Sequence, residues 1–224
     1  MSVIYSRLVQ IMKNLALRFV GLQLAFPMAI VAVAFSTPSH ARFSRQSVLA
    51  KVTYCKDCHG LSAQGFRGYY AIPRLAGQQP QYLKNQLRAF VEHNRPNPIM
   101  SNVAHVLKPA MIEAIASYFQ HLNPRPLGGG PRNLVAEGRH IFQNGIPQAN
   151  VAACAACHGP QATGHGQIPR LAGQVYWYVV KELTGWPKLR GQKRPDTSII
   201  MKPVAHSLTK SEIRAVAAYV SYLR

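Results

Sequence analysis

A chain of 224 residues with 48% hydrophobic and 15% charged residues has the composition of a globular protein, enough for one large domain or two small ones, which excludes disorder as the starting assumption. Its 26 basic side chains face only 7 acidic ones, a formal charge of +19 that points toward anionic partners.

The first element in chain order is a secretory signal. Arg7, Lys13 and Arg18 precede an uncharged, mostly apolar run over 19–35, and Ser39-His40-Ala41 puts small residues at the two positions a signal peptidase inspects. Residues 1–41 are therefore expected to be removed on export. The competing expectation is an N-terminal membrane tether, because 17 residues lie at the lower edge of the length that spans a bilayer. Pro27 and the cleavage-like site favour removal. The mature chain keeps 23 basic and 7 acidic residues, a charge of +16, and no later stretch is apolar for long enough to cross a membrane. Export also removes nucleic acid from the candidate partners.

Next comes Cys55-Lys56-Asp57-Cys58-His59, followed by Ala71-Ile72-Pro73-Arg74-Leu75-Ala76-Gly77-Gln78. Leu83, Leu87, Phe90 and Val91 then fall at i, i+4, i+7 and i+8, the stripe of an amphipathic helix. Met100 with Val103-Ala104-His105 follows a proline-containing loop. Ile112, Ile115, Ala116 and Phe119 predict a closing helix with Pro109 at its first position. Pro124, Pro126, Gly128, Gly129, Gly130 and Pro131 have linker chemistry.

The same order then returns. Leu134, Gly138 and Ile141 predict a helix whose glycine admits a close helix crossing. Cys154-Ala155-Ala156-Cys157-His158 repeats the cysteine motif 99 residues on, and Gln167-Ile168-Pro169-Arg170-Leu171-Ala172-Gly173-Gln174 repeats the second segment. A helix over Tyr176, Val179, Val180 and Leu183 follows. Met201 with Val204-Ala205-His206 comes after a loop expected over 185–198, and Ile213, Val216, Ala217 and Val220 form a closing helix with a Thr209/Glu212 capping box. Offsets near 100 residues mark a duplicated domain and not a short solenoid repeat. The expected organisation is a first domain over 42–122, a linker over 123–131 and a second domain over 132–224. Without sustained period-two alternation the fold class is all-α. The first half has about a dozen residues between Ala41 and Cys55, so its opening helix is expected to be shortened.

All four cysteines lie in the two C-x-x-C-H motifs. In an exported protein each thiol needs a disulfide partner, a metal or a covalent ligand. In this motif both thiols add to the vinyl groups of one haem, and the adjacent histidine reaches its iron. A zinc site normally brings its two knuckles within about 20 residues, and a dithiol oxidoreductase leaves the histidines unexplained. Two covalent haems are expected, bound by Cys55, Cys58 and His59 and by Cys154, Cys157 and His158. A small helical domain buries little apolar surface by itself, so the haem-free chain should fold poorly.

Met100 and Met201 are the candidate sixth ligands, each 18 residues before a tyrosine of the closing helix. A thioether opposite histidine fills the iron and raises its potential, which suits a carrier. Methionines are more commonly flexible core fillers. His105 and His206 also repeat and are rival ligands, although a surface role is favoured for them. His93, His121, His140 and His165 have no counterparts.

From about Val48 to Leu223 this order of elements resembles the dihaem class I cytochromes c of the c4 type. The resemblance implies two tandem class I cytochrome c domains, each wrapped round one covalent haem with His/Met ligation. It also implies one-electron shuttling in the periplasm between a respiratory donor and a terminal acceptor, with no catalysis. It further implies that the carbonyls of Pro73 and Pro169 accept ring hydrogen bonds from His59 and His158. The alternative is the cytochrome subunit of a flavocytochrome-type dehydrogenase, such as a sulfide dehydrogenase, which takes electrons from a partner's flavin. A dihaem peroxidase would need an iron without a strong sixth ligand, against which the duplicated methionines argue. Lys188, Arg190, Lys193 and Arg194 crowd the loop before Met201. Such a field steers an acidic redox protein, a membrane-bound oxidase or reductase, or an anionic membrane surface.

Overall fold

The structure, a computed structural model, describes residues 43–189 and 198–224. Signal residues 1–41 and the basic positions Arg190, Lys193 and Arg194 lie outside them. Among the described residues there are nine α-helices and no strand beyond isolated bridges, so the fold is all-α.

The first half contains α1 (Arg45–His59), α2 (Pro80–Val91), α3 (Pro98–His105) and α4 (Pro109–Gln120). The second contains α5 (Val135–Asn144), α6 (Cys154–His158), α7 (Tyr176–Leu189), α8 (Ser198–Ser207) and α9 (Lys210–Tyr222). Each half builds its own apolar core. One gathers Val52, Leu83, Met111, Ile115 and Phe119, where α4 packs on α1 and α2. The other gathers Ile141, Phe142, Tyr176, Val179, Leu183, Val216 and Val220, where α9 packs on α5 and α7. Phe119, Phe142, Val52, Val175 and Val220 are the large apolar side chains most completely withdrawn from water.

Local chemistry sets the helix starts. Proline occupies the first turn of α2, α3 and α4, where its missing N–H costs nothing. Thr209 and Glu212 form the reciprocal capping box at the start of α9. Gly138 carries the tightest crossing. A Cβ there would lie 1.9 Å from the carbonyl oxygen of Ala215, so only hydrogen fits between α5 and α9.

Two expectations need correction. The opening helix of the first half is not shortened, because α1 runs for 15 residues straight through the cysteine motif, with Val52 buried against α4. In the second half a separate helix and loop precede the motif; in the first, one continuous helix does both jobs. The loop expected from Gly185 starts later, since α7 continues through Gly185 and Pro187 to Leu189. Among the described residues no helix is long and apolar enough to cross a membrane.

Replacing Gly138 by alanine should destabilise the second half by about 3 kcal/mol, because the obstacle is backbone and cannot rotate away. Chemical denaturation followed by far-ultraviolet circular dichroism measures the loss.

Candidate haem-binding sites

Each cysteine motif ends its helix with histidine: His59 closes α1 and His158 closes α6. Positions i and i+3 put the paired thiols on one helical face. In both pairs the first cysteine is half-buried and the second exposed, and none of the four forms a disulfide. Burial pushes the Cys55 and Cys154 thiols up to about 11, which keeps them neutral.

Among the described residues the only buried histidines are His59 and His158, at 7% and 5% exposure. His93, His105, His121, His140, His165 and His206 are exposed. Nδ1 of His59 lies 2.8 Å from the Pro73 carbonyl oxygen, and Nδ1 of His158 lies 2.9 Å from that of Pro169. A carbonyl only accepts, so Nδ1 carries the proton and Nε2 presents a lone pair. Loss of solvent pushes both imidazoles below their ordinary range, and the proline hydrogen bonds partly oppose this. The Arg95 guanidinium adds to the lowering at His59, as His165 does at His158. A neutral imidazole with one nitrogen fixed is the form that ligates a metal.

Met100 and Met201 are half-buried, each near the start of a short helix and not in a loop. The Met100 N–H donates to Asn97 Oδ1 at 3.0 Å, and Ser101 Oγ donates to the Phe90 carbonyl at 3.0 Å, which ties α3 to the end of α2. Asn97-Pro98 is an N-cap followed by a first-turn proline, the signal from which α3 could have been read. Met201 packs against the second core. His105 and His206 stand exposed near the ends of the same two helices.

The repeated Pro-Arg-Leu-Ala-Gly-Gln segment does more than orient histidines. Gln174 Oε1 accepts the Arg74 N–H at 2.7 Å, and its Nε2 donates to the Arg74 carbonyl at 3.2 Å. Gln78 does the same to Arg170, at 2.7 and 3.0 Å. Each half thus clasps the other's copy of its own motif, a two-fold contact within one chain. Gly77 and Gly173 sit in the crossing with positive φ, each against the opposite arginine side chain. This exchange was not anticipated from the sequence, which shows that Gln78 and Gln174 repeat but not where they point.

A cytochrome c family model matches residues 135–224. Cytochrome c-552 of Acidithiobacillus ferridurans is 36% identical over 75% of this chain and 73% of its own. The thiosulfate dehydrogenase electron acceptor of Thiomonas intermedia is 35% identical over 75% of this chain and 77% of its own. The solved cytochrome c4 of Acidithiobacillus ferrooxidans superposes with a TM-score of 0.66 at 36% identity, covering 76% of this chain and 99% of that one. The chain belongs to the cytochrome c4 family. It is a dihaem electron-transfer cytochrome, and the family's cofactor is covalently bound haem c.

The residues present fit that group. Beside the thiol pairs and the directed imidazoles, Arg74 Nη1 and Arg170 Nη2 are buried without a hydrogen-bond partner. Arg74 is 3% exposed, and burial together with the neighbouring Arg170 charge brings it down to about 10. Burial also lowers Arg170. A buried and a half-buried cation, each with a buried spare N–H, call for anions, and haem propionates are carboxylates.

Replacing Gln174 by leucine should cost about 2 kcal/mol, because it strands the N–H and carbonyl of Arg74 in a dry contact. Denaturation of the holoprotein measures it, and the matching Gln78 variant should behave alike.

Proposed function

We propose that this protein is a periplasmic one-electron carrier with two haems, exported by a cleaved signal over residues 1–41. Cys55 and Cys58 tether one haem with His59 as proximal ligand, and Cys154 and Cys157 tether the other with His158. Met100 and Met201 supply the sixth ligands. The observation that carries this reading is the twofold occurrence of one buried histidine with Nδ1–H given to a proline carbonyl, in a chain where every other described histidine is exposed.

When bound, each haem supplies an iron that takes up and releases one electron reversibly. The chain does the rest. Its proline carbonyls hold the imidazoles in one orientation and raise their basicity. Its short helices α3 and α8 bring the thioethers, which leave no position for substrate and favour the reduced state. The clasp between the two motifs fixes one half against the other, so transfer between them needs no docking step. With residues 1–41 removed, the remaining net charge of +16 draws acidic redox proteins, a membrane-bound oxidase or reductase, or an anionic membrane surface.

A second reading, the electron-accepting subunit of a dehydrogenase, is favoured by the similarity to a thiosulfate dehydrogenase electron acceptor. A flavocytochrome-type partner is the flavin version of the same role. Mixing the protein with thiosulfate and thiosulfate dehydrogenase, or with sulfide and its flavoprotein dehydrogenase, separates the two by which mixture reduces the haems rapidly. Slow reduction in both leaves the respiratory carrier.

The ligand assignment has a spectroscopic check. Ferric protein should show the weak far-red thioether-to-iron band, and replacing Met100 or Met201 by alanine should each time remove about half of it. Retention of the whole band in both variants rejects the assignment.

A further inference from the structure

Arg95 is the most heavily engaged charged side chain outside the sites already described. Its Nη2 donates to Tyr178 Oη at 2.7 Å and to Glu182 Oε2 at 3.2 Å, and its Nη1 donates to Gln86 Oε1 at 3.0 Å. The guanidinium also stacks over Phe90, 4.7 Å from the ring centre. Tyr178 and Glu182 belong to α7 of the second half, whereas Gln86, Phe90 and Arg95 belong to the first. Arg95 and Glu182 side chains are 13% and 12% exposed, unlike the Lys84–Glu113 pair, whose carboxylate is 62% exposed. Withdrawal from water lets a charge act over a longer range than it does on the surface.

Position gives that charge a use. Arg95 stands five residues before Met100, on the turn joining α2 to α3, and its backbone N–H closes on the Ala89 carbonyl at 3.1 Å. Phe90, under the guanidinium, is the residue whose carbonyl takes the Ser101 hydroxyl and so pins the helix that bears Met100.

We propose that Arg95 is a positioning residue for electron transfer: a cation largely withdrawn from water at the junction of the halves, gripped by α7, that raises the reduction potential of the first half's iron and ties that potential to the docking of the second half. The inference rests on the haem and ligand assignment proposed above. A fixed positive charge opposes the extra charge of ferric iron and so favours the ferrous state. Glu182 partly offsets it, so the two side chains act with opposite sign on one couple.

The test is a potentiometric titration of the holoprotein, resolved into two one-electron couples, for Arg95→Gln, Arg95→Lys and Glu182→Gln. Each variant is also made with Met201→His, which displaces the second half's couple and thereby labels the first. Arg95→Gln should lower the first couple about tenfold in its equilibrium constant, 59 mV for one electron. Glu182→Gln should raise the same couple, and Arg95→Lys should leave it near the wild-type value because the charge remains. Haem content and the far-red band are recorded on every sample. With two haems and an intact band, an unmoved first couple, or a fall in all three variants alike, overturns the proposal and leaves the ligand assignment standing. Absence of haem or of the band in the unsubstituted protein overturns that assignment first, and the proposal with it. Should Arg95→Gln fail to fold, the rise expected of Glu182→Gln beside the unmoved couple expected of Arg95→Lys still decides.

Discussion

The hydrogen bond from a buried imidazole to a proline carbonyl is the constraint on which the rest of this molecule depends. It fixes the tautomer of His59 and of His158, leaves Nε2 with a free lone pair, and offsets part of the cost of removing a histidine from water. Because the acceptor is backbone, its place is set by the loop and not by a rotamer. That loop must therefore be held, and the residues directly after each proline hold it. The peptide of Arg74 is clamped by Gln174 and that of Arg170 by Gln78. Each imidazole is aligned by a loop that the opposite half secures.

This arrangement accounts for two features that would otherwise count against stability. Arg74 is buried and Arg170 half-buried, close enough for the charge of Arg170 to depress Arg74, and each keeps an N–H with no partner in the protein. An apolar pair of the same volume would pack more cheaply. Haem carboxylates placed there would convert the repulsion into attraction, so that cofactor binding and the joining of the halves would reinforce each other. The haem-free chain has neither the apolar plate nor those anions, which is the physical ground for expecting it to fold poorly.

Much of this was legible in the sequence because the chemistry is local. Cys55 to His59 and Cys154 to His158 announce their ligand by spacing alone. The stripes over Leu83 to Phe90 and Ile213 to Val220, the capping box at Thr209 and the crossing glycine at Gly138 are all short-range signals, and the structure carries each of them. Val91 was counted in a buried stripe but is 38% exposed, at the fraying end of α2. The short helices that bear Met100 and Met201 were not anticipated, although Asn97-Pro98 stands where a helix begins. Gly185 and Pro187 misled in the same way. What no local pattern could give is the exchange of partners between copies. A repeat in sequence states that two segments do the same work, and here the work of each is done on the other.

Duplication also poses a physical problem that the non-repeated residues address. Two copies of one site begin with equal affinities for an electron, and transfer between equal sites has no preferred direction. Direction requires a field that differs between the halves while leaving the shared machinery intact. The near neighbours of the two imidazoles do differ: an arginine acts on His59, and an exposed histidine acts on His158. The loops after the motifs diverge as well. The first spans 14 residues from His59 to Pro73 and exposes Leu61, Phe66, Tyr69 and Tyr70, whereas the second spans 11 from His158 to Pro169 and carries no phenylalanine, tyrosine or tryptophan. The proline, glutamine, thiol and imidazole positions stay paired, and charge and apolar surface vary around them. An evolutionary change in the longer loop can therefore alter what the first half meets while the proline, glutamine, thiol and imidazole positions stay as they are.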